Sequence, residues 1–458
     1  MLAYRGKVIV LPAGLADKLP GKGMLDLMEI LDLKDMPRTQ PSFGEILPDS
    51  SIVEPVLAPT GKELVLLRWN GQDCTTASHI QVGNQTYCAP FVNENLLRAT
   101  RFPTGATDYD SGAALIHSVA LEFQRFFPFE DAPATALGLW VLNTWLADFF
   151  PSPTTLVVTG SDMPQARDFF QLLHTMSRRP LMVSELSRRL PFDVRPTLLV
   201  CDPTFSEKGQ LSWCASNHRG FFVPDRQDGA RNLACSKAIF LATRETSDAW
   251  GPEALRIWLP PANHKMACLT EVEQARLAAR FQPQFLMFRL HNLANMTQSI
   301  PADWPPALAE SALARQLLAC AKEERAVVEA VTPLLLSYQQ EHQEHSLLDP
   351  HAAILECIWG PAHGSRQVRI TELQEDFNGL LRSRGEIYEY SVKEVGWKLQ
   401  HMSFERVRDG AGKVLRFTAG IRRRIHKLVY ELGLDLPRES TCPDCLLGQT
   451  PGNYGKTA

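Results

Sequence analysis

The spacing of apolar positions changes along the chain, and each pattern predicts a different kind of structure. Residues 1–100 contain short apolar runs separated by Pro and Gly, which predicts a small β-rich region of unknown role; the runs are KVIVL, SIVEPVL, ELVLLRW, HIQVG and TYCAPF. From about Asp108 apolar residues recur three and four positions apart, as in SGAALIHSVALEFQRFF, which predicts helices. The next segment, ATALGLWVLNTWLADFF, is apolar almost all round and predicts a buried helix.

Three β-branched or apolar runs follow, each about forty residues after the one before. They are TTLVVTG (154–160), PTLLVCD (196–202) and SKAIFLAT (236–243). Runs at this spacing leave room for a crossover helix, so they predict an α/β fold with a parallel sheet and helices on both faces. Residues 314–342 then read as a long helix interrupted at Pro333, which we expect to link or cover the sheet domain.

The C-terminal part predicts the element order helix, helix, helix, hairpin, helix. Capping boxes at Thr371/Gln374 and at Ser391/Glu394 open the second and third helices, with a short loop between the two helices. FERVRDGAGKVLRFT then predicts two strands around a Gly-rich turn, and IRRRIHKLVYELGL the last helix. This order is typical of a winged helix, whose third helix enters a major groove while the hairpin contacts phosphates or the minor groove.

Composition and charge support this interpretation only for the C-terminal part. Hydrophobic residues make up 45% of the 458 residues, charged residues 21%, and the net charge is −4. Between residues 391 and 437, however, ten Lys/Arg stand against five acids, so this segment carries +5 and the remainder −9. Such asymmetry indicates a nucleic-acid-binding part, and we expect double-stranded DNA as the partner.

Helical periodicity predicts an inward face of Val392, Val395 and Leu399 on the third helix. The candidate DNA contacts are the polar and cationic groups that remain on that helix and beside the hairpin turn: Lys393, Lys398, Gln400, Arg406, Arg408, Lys413 and Arg416. Residues 422–424 are placed on the back of the last helix and are not among these contacts. Two alternatives stay open, a protein-docking winged helix and a wrongly assigned fold.

The run ending at Gly160 has the strand–turn–helix pattern of a P-loop without the residues that such a loop needs. A working loop uses a second Gly for close approach of the backbone, Lys for the β/γ-phosphates and Ser/Thr for Mg²⁺. Gln165, Ala166 and Arg167 occupy those three positions here, and Asp162 adds a negative charge that would face any phosphate. We therefore expect ATP to bind poorly.

From about His79 to Met296 the chain resembles the helicase-type P-loop (AAA+-like) ATPases of bacterial mobile elements and phages. The matching segments are IQVG, ALGLWVLNTWLAD, LLHTMSRRPLMVSELS, PTLLVCD, NHRG, SKAIFLAT and FQPQFLMFRL, and the C-terminal VGWKL and IRRRIHKL resemble the same proteins. In that family the strand matched by PTLLVCD ends in Asp-Glu, with the Asp serving Mg²⁺ and the Glu activating water.

Cys201 and Asp202 stand at the position of this acidic pair, while Arg219 matches a family Arg-Gly and Arg256 falls near the family's nucleotide. The resemblance therefore implies a vestigial nucleotide site and a pseudo-ATPase rather than an enzyme, with no cofactor expected. The alternatives are an error of register, or a weakly active motor in which Arg167 binds phosphate and Asp202 holds the metal of Mg-ATP.

Of the ten cysteines, only Cys442 and Cys445 share a metal-like spacing, in a Pro/Gly-rich tail. A structural zinc needs four ligands, and no second CxxC or HxxxH lies nearby, so we expect an inert pair, with zinc shared across a dimer as the runner-up. Scattered cysteines fit reduced thiols and a cytoplasmic protein, and no segment predicts a membrane span or a signal peptide.

These patterns predict five segments: a β-rich region (1–100), a degenerate P-loop domain (101–300), a helical linker or lid (301–346), a winged helix (347–437) and a flexible tail (438–458). The function that they predict is a DNA-binding, helicase-like protein that acts as a scaffold or accessory in replication or regulation of a mobile element. The P-loop domain would serve as a platform, with self-association or a replication partner left open. An ATPase motor and a protein-interaction adaptor are the alternatives.

Overall fold

The structure is a computed structural model. It describes residues 2–4, 7–9, 38–160, 162–184, 194–201, 217–225, 229–242, 253–261, 266–296, 301, 304–321, 323–365, 367–410, 412–432, 434, 436–437, 439–440 and 442–447. The chain forms two compact units, Met1–Leu336 and Ser337–Ala458. Among the described helices, none has both the length and the apolar composition that a bilayer crossing requires.

The first unit begins with short strands in small sheets. The strands are β1 (Leu2–Tyr4), β2 (Lys7–Ile9), β3 (Arg38–Pro41), β4 (Glu45–Ile46), β5 (Ile52–Leu57), β6 (Leu64–Trp69), β7 (Cys74–Ala77), β8 (His79–Val82) and β9 (Gln85–Cys88). They pair as β1-β2, β3-β9-β8 and β4-β5-β6-β7. Val53 and Leu66 are fully buried between the last two sheets, together with Ile80 and Tyr87.

Three helices follow: α1 (Glu94–Ala99), α2 (Gly112–Phe126) and α3 (Asp131–Trp145). Helix α2 begins where the Ser111 side chain accepts the N–H of Ala114, a standard N-cap. Helix α3 is buried without interruption from Ala136 to Trp145, as predicted for an all-round apolar segment. The polar Asn143 in this stretch donates to the carbonyls of Gln316 and Leu317, so its burial does not leave the amide N–H groups unpaired.

The centre of the first unit is a parallel five-stranded sheet. Its strands are β10 (Thr155–Thr159), β11 (Pro180–Val183), β12 (Thr197–Cys201), β15 (Lys237–Leu241) and β16 (Leu255–Trp258), in the order β11-β12-β15-β10-β16. A separate hairpin joins β13 (Phe222–Asp225) and β14 (Gly229–Asn232). The prediction that β10, β12 and β15 form a parallel sheet is confirmed, while β11 and β16 were not predicted.

Helices account for the rest of the first unit. They are α4 (Met163–Met176), α5 (Glu271–Asn292), α6 (Pro306–Glu310), α7 (Ala312–Leu317) and the part of α8 (Arg325–Leu348) up to Leu336, with 3₁₀ turns at Leu293–Asn295 and Leu318–Cys320. The predicted break at Pro333 is wrong, because Pro333 lies inside α8. The chain leaves helical geometry earlier, between Cys320 and Arg325.

A buried ion cluster joins the N-terminal strands to the parallel sheet domain. Glu54 of β5 accepts hydrogen bonds from Arg178 (Nε to Oε1, 2.9 Å) and from Arg289 of α5 (Nε to Oε2, 3.1 Å). Arg179 also bonds to Glu54, and Arg178 bonds to Asp148 at 2.9 Å. Glu54 and the three arginines are each at most 2% exposed.

Electrostatics in this cluster keep the carboxylates ionised. Burial by itself raises the pKa of Glu54, but attraction to the Arg178, Arg179 and Arg289 guanidiniums outweighs it and lowers the pKa to about 2. Burial and repulsion by Arg178 lower the pKa of Arg179 to about 9, since three buried cations share two acids. Gly44 runs against this cluster with φ +91°, and a Cβ there would lie 2.1 Å from Glu54 Oε2, so a side chain cannot be accommodated without displacing the carboxylate.

The second unit contains α9 (Pro350–Gly364), β17 (Gln367–Arg369), α10 (Ile370–Ser383), α11 (Val392–His401), β18 (Arg406–Asp409), β19 (Gly412–Arg416), α12 (Ala419–Glu431) and α13 (Pro443–Leu447). The strands pair antiparallel in the order β17-β19-β18. The helices and this sheet share one core, which includes Ile354, Phe377 and Leu399. Of the predicted tail, residues 439–440 and 442–447 are described, and Cys445 is buried in that core.

One predicted capping box is present and the other is wrong. At α11 the Ser391 hydroxyl accepts the N–H of Glu394, and the Glu394 carboxylate accepts the N–H of Ser391 at 2.8 Å. At α10 the helix already begins at Ile370, directly after β17, and has no side-chain cap. Gln374 there donates its amide to the Tyr390 carbonyl, at 3.0 Å, and so fixes the loop before α11 instead.

Candidate nucleic-acid interface and the altered nucleotide site

Helix α11 is held by a narrow apolar face, which leaves most of its surface in solvent. Val395 and Leu399 are fully buried, as predicted. Val392, predicted to point inward, is 39% exposed, because the helix starts there and its first turn lies outside the core. The solvent-exposed surface of α11 is therefore larger than the predicted inward face of three residues implied.

The hairpin lies next to α11 and is connected to it through Arg406. The Arg406 guanidinium donates to Gln400 Oε1 at 3.1 Å. It also lies over Gly396, where a Cβ would be only 2.2 Å from Arg406 Nη1, so a side chain there would displace the guanidinium. Arg406 and Gln400, predicted as separate DNA contacts, are thus neighbours that join helix and hairpin.

The remaining predicted contacts are displayed around this junction. In the β18-β19 register Arg408 stands directly opposite Lys413, and both are exposed, as is Arg416 at the end of β19. On α11 the Lys393 ammonium lies 4.8 Å from the Trp397 ring centroid, and the Lys398 ammonium lies 5.0 Å from that of Tyr390. We use the term basic set for the predicted residues together: Lys393, Lys398, Gln400, Arg406, Arg408, Lys413 and Arg416.

Within the described part of the chain, no cation of the basic set forms an ion pair. By contrast, the three arginines at the start of α12 have structural partners. Arg422 donates to the Ser365 carbonyl, Arg424 donates to the Met402 carbonyl, and Arg423 lies 3.8 Å from the Asp444 carboxylate. The cations of the basic set and the arginines of α12 therefore differ in whether a carbonyl or a carboxylate accompanies them.

The same surface also exposes apolar side chains. Trp397 of α11 is 51% exposed, and in the preceding loop Ile387 and Tyr388 are 96% and 52% exposed. Aromatic residues beside cations are common where proteins bind other proteins as well as where they bind nucleic acid. The surface is therefore amphipathic and not only basic.

At the candidate nucleotide site, a capped helix begins shortly after Gly160. Strand β10 ends at Thr159 and α4 begins at Met163, so Gln165, Ala166 and Arg167 lie in the first turns of the helix and not in a loop. The Asp162 carboxylate accepts the N–H of Gln165 at 3.3 Å, and the Asp162 carbonyl accepts that of Ala166 at 3.0 Å. Pro164 has no N–H, so few donors remain for a phosphate.

The surroundings of this helix start are acidic. Gln165 and Ala166 are buried and Arg167 is exposed, so of the three residues at the predicted P-loop positions only Arg167 reaches solvent. A cavity of about 240 Å³ beside the helix start is lined by Asp162 and Asp168. Partial burial and repulsion by Asp162 raise the pKa of the exposed Asp168, although attraction to Arg167 lowers it. The two carboxylates, Asp162 and Asp168, would repel a phosphate bound in this cavity.

Of the other residues predicted for the nucleotide site, two lie at strand ends and one lies within a strand. Gly160 follows β10 and Cys201 ends β12, so both lie at the carboxyl edge of the sheet, where ligands bind in open α/β folds. Arg256 lies within the edge strand β16, opposite Val157 and before the strand end. Asp202 lies outside the described residues. Arg219, the other residue of the resemblance, donates to the Ala147 carbonyl at 2.9 Å and lies 3.8 Å from Asp148, next to the buried cluster.

Cys442 and Cys445 lie beside two histidines that the sequence analysis did not associate with them. His363 is on α9 and His426 is on α12, 63 residues further along. No local motif in the sequence predicted this grouping. Metal sites are recognised in a sequence by ligands a few residues apart, whereas these four residues come together only in the folded chain.

No protein-family model matches the chain, and the search of curated proteins gave no match. Among solved structures, the chain is similar to the C-terminal region of NrS-1, with 10% identity over 79% of this chain and 95% of that one and a TM-score of 0.33. Similarity to Cdc6p from Pyrobaculum aerophilum (12% identity, 68% and 98% covered, TM-score 0.16) and to the ORC2 protein of Aeropyrum pernix (10%, 71% and 96%, 0.14) is weaker. TM-scores this low carry no argument about family or function, so the site has to be interpreted from its own residues.

Proposed function

We propose that this chain is a DNA-binding, helicase-like accessory protein of replication, in which the C-terminal unit is a winged helix that docks onto duplex DNA. The observation that carries the proposal is the basic set, whose six cations form no ion pair in the described part of the chain. Lys393, Arg408, Lys413 and Arg416 are exposed, and Lys398 and Arg406 are half-buried. The helix α11 would enter the major groove, and the hairpin would follow the phosphates.

Charge placement on the hairpin supports a polyanionic ligand. Arg408 and Lys413 are directly opposite each other on adjacent strands, an arrangement in which like charges repel. A phosphate between them would remove this repulsion. Lys and Arg that contact phosphates release condensed counterions, so binding of this kind depends strongly on salt.

For the α/β domain we propose a scaffold without ATP hydrolysis. The parallel sheet is present, but the helix start at its carboxyl edge is capped by the Asp162 carboxylate. Gln165 and Ala166, at the positions of the second Gly and the Lys of a P-loop, are buried. Without a phosphate-binding Lys and a Mg²⁺-binding hydroxyl, little transition-state stabilisation is left. No cofactor is expected on this proposal.

DNA binding is tested with full-length protein and a short fluorescent duplex, by anisotropy at several salt concentrations. If all six cations contact phosphates, the logarithm of the binding constant should fall with the logarithm of salt with a slope of roughly −5, and affinity should drop on the order of 10³-fold between 50 and 200 mM. Absence of binding at 50 mM, or binding with no salt dependence, contradicts the proposal.

The scaffold proposal is tested with Mg-ATP. We expect no turnover above the blank and no heat of nucleotide binding by calorimetry, because the loop contacts are missing. Turnover that disappears in Arg167→Ala and Asp202→Ala would instead support a motor with an unconventional site. A turnover that survives both substitutions indicates a contaminating ATPase and calls for further purification before either conclusion.

Protein docking is the second candidate function, and the exposed Ile387, Tyr388 and Trp397 favour it. If a protein partner docks through these residues, Trp397→Ala should weaken binding of that partner. The same substitution should leave the salt dependence of DNA binding unchanged. The two candidates therefore differ in which side chains of the same surface matter.

A further inference from the structure

We propose that His363, His426, Cys442 and Cys445 form a structural zinc site within the C-terminal unit. Their ligand atoms, the two imidazole Nε2 and the two Sγ, all lie within 4.8 Å of one another. The histidines come from α9 and α12, and the cysteines from the segment that leads into α13 and from α13 itself. Three parts of the chain therefore supply one tetrahedral set of Zn²⁺ ligands, two nitrogens and two sulfurs.

Four of the six distances between ligand atoms are close to those around a tetrahedral zinc ion, and all six are at most 4.8 Å. His363 Nε2 and His426 Nε2 are 3.1 Å apart. Cys445 Sγ lies 3.2 Å from His426 Nε2 and 3.3 Å from His363 Nε2, and Cys442 Sγ lies 3.4 Å from His426 Nε2. With Zn–N of about 2.0 Å and Zn–S of about 2.3 Å, a tetrahedron puts two nitrogens about 3.3 Å apart and nitrogen and sulfur about 3.5 Å apart.

Hydrogen bonds on the far side of each ring orient both histidines as metal ligands. His363 Nδ1 lies 2.8 Å from the Trp359 carbonyl, and His426 Nδ1 lies 2.7 Å from the Arg422 carbonyl. A carbonyl only accepts, so in each ring Nδ1 carries the proton and Nε2 has a free lone pair. Metal-bound histidines typically use their second nitrogen in this way.

The two Nε2 lone pairs therefore face each other at close range, an arrangement that a cation between them stabilises. Zn²⁺ is such a cation, and two thiolates neutralise its charge, so the complex has no net charge to desolvate. This suits the setting, since His426 and Cys445 are 5% and 7% exposed. The Trp359 ring covers both imidazoles, with centroids 4.7 Å from each.

Such an ion would fasten the end of the chain. The ligands join residues that are 63 and 82 positions apart, so the metal would close two long loops and hold α13 and α12 against α9. Structural zinc sites contribute directly to folding free energy. This inference does not depend on DNA binding, because the site lies among packed helices and not in the basic set.

The first experiment measures metal in untagged full-length protein purified without chelators. We expect one zinc per chain by inductively coupled plasma mass spectrometry. Exchange for Co²⁺ should produce the visible absorption of a tetrahedral cobalt–thiolate complex, and a strong chelator should make the Cys442 and Cys445 thiols reactive and lower the melting temperature.

Variants assign the metal to these side chains. Cys442→Ser with Cys445→Ser, and separately His363→Ala, should lose the zinc and the cobalt spectrum. As matched controls, Cys357→Ser and His401→Gln remove the same residue types elsewhere in the unit and should retain both. Circular dichroism of each variant distinguishes loss of a ligand from loss of the fold.

Wild-type protein overturns the proposal, whatever the variants do, if it contains no zinc and takes up no cobalt after reduction. A Cys442–Cys445 disulfide in protein kept under reducing conditions, detected by mass spectrometry of peptides, would also overturn it. A disulfide would consume both thiolates and leave the two imidazole acceptors without a common partner.

Discussion

Replacing Glu54 by Gln should destabilise the first unit by about 3–5 kcal/mol, the range observed when one partner of a buried ion pair is removed. The substitution keeps the size of the side chain but leaves Arg178, Arg179 and Arg289 with Asp148 as the one remaining carboxylate of the cluster. Two uncompensated positive charges would then be buried. Urea denaturation followed by circular dichroism measures the change in the free energy of unfolding.

The matched control is Glu94→Gln. Glu94 also pairs with an arginine, Arg98, but both side chains are 76% exposed, so the loss should stay below about 1 kcal/mol. Equal effects of the two substitutions would show that the buried cluster contributes no more than a surface ion pair.

The pH dependence of the free energy of unfolding provides a second test of the same substitution. Since the folded pKa of Glu54 is lowered from 4.5 to about 2, its stabilisation is complete above pH 4.5 and is lost as the pH falls toward 2. A shift of this size corresponds to roughly 3 kcal/mol. The wild-type free energy of unfolding should fall across this window, and the fall should be smaller in Glu54→Gln, which has no carboxylate to protonate there.

Removing the three exposed hairpin charges should weaken DNA binding on the order of 10²-fold at 0.1 M salt. The variant is Arg408→Gln, Lys413→Gln and Arg416→Gln combined, and its salt slope should be less steep than that of the wild type by roughly 3. The reason is that each lost phosphate contact leaves its counterions on the DNA. Anisotropy titrations at several salt concentrations give both quantities.

The control removes the same net charge from places outside the basic set. Arg98→Gln, Arg325→Gln and Arg382→Gln combined delete three exposed arginines that each pair with a glutamate. This variant should bind DNA like the wild type. If the control weakens binding as much as the hairpin variant does, attraction is through net charge alone and the winged-helix docking is wrong.

Patterns confined to one segment predicted the fold well. The strands β10, β12 and β15 follow from β-branched runs, and α3 follows from an unbroken apolar stretch, because burial on both faces leaves no polar period. The capping box at Ser391 was predicted correctly, whereas the one at Thr371 was wrong because β17 delivers the chain directly into α10. The two sequences are equivalent as capping boxes, and the neighbouring tertiary structure determined which of them caps a helix.

Sites assembled from distant segments were not predictable in this way. Glu54 meets Arg289 from 235 residues away, and Cys445 meets His363 from 82 residues away. Residues this far apart form no periodic pattern and no short motif by which a single sequence could reveal the contact. The departures from a P-loop pattern were visible in the sequence, but the cap that Asp162 places on the following helix required the position of the helix start.

The Glu54 cluster also determines where the chain can be cut. The sequence placed a domain boundary near residue 100, yet a fragment that starts there would contain Arg178, Arg179 and Arg289 without the glutamate that they surround. An expression fragment of the sheet domain therefore has to begin before β5. In this molecule the N-terminal strands supply the counter-ion for the domain that follows and cannot be treated as a removable leader.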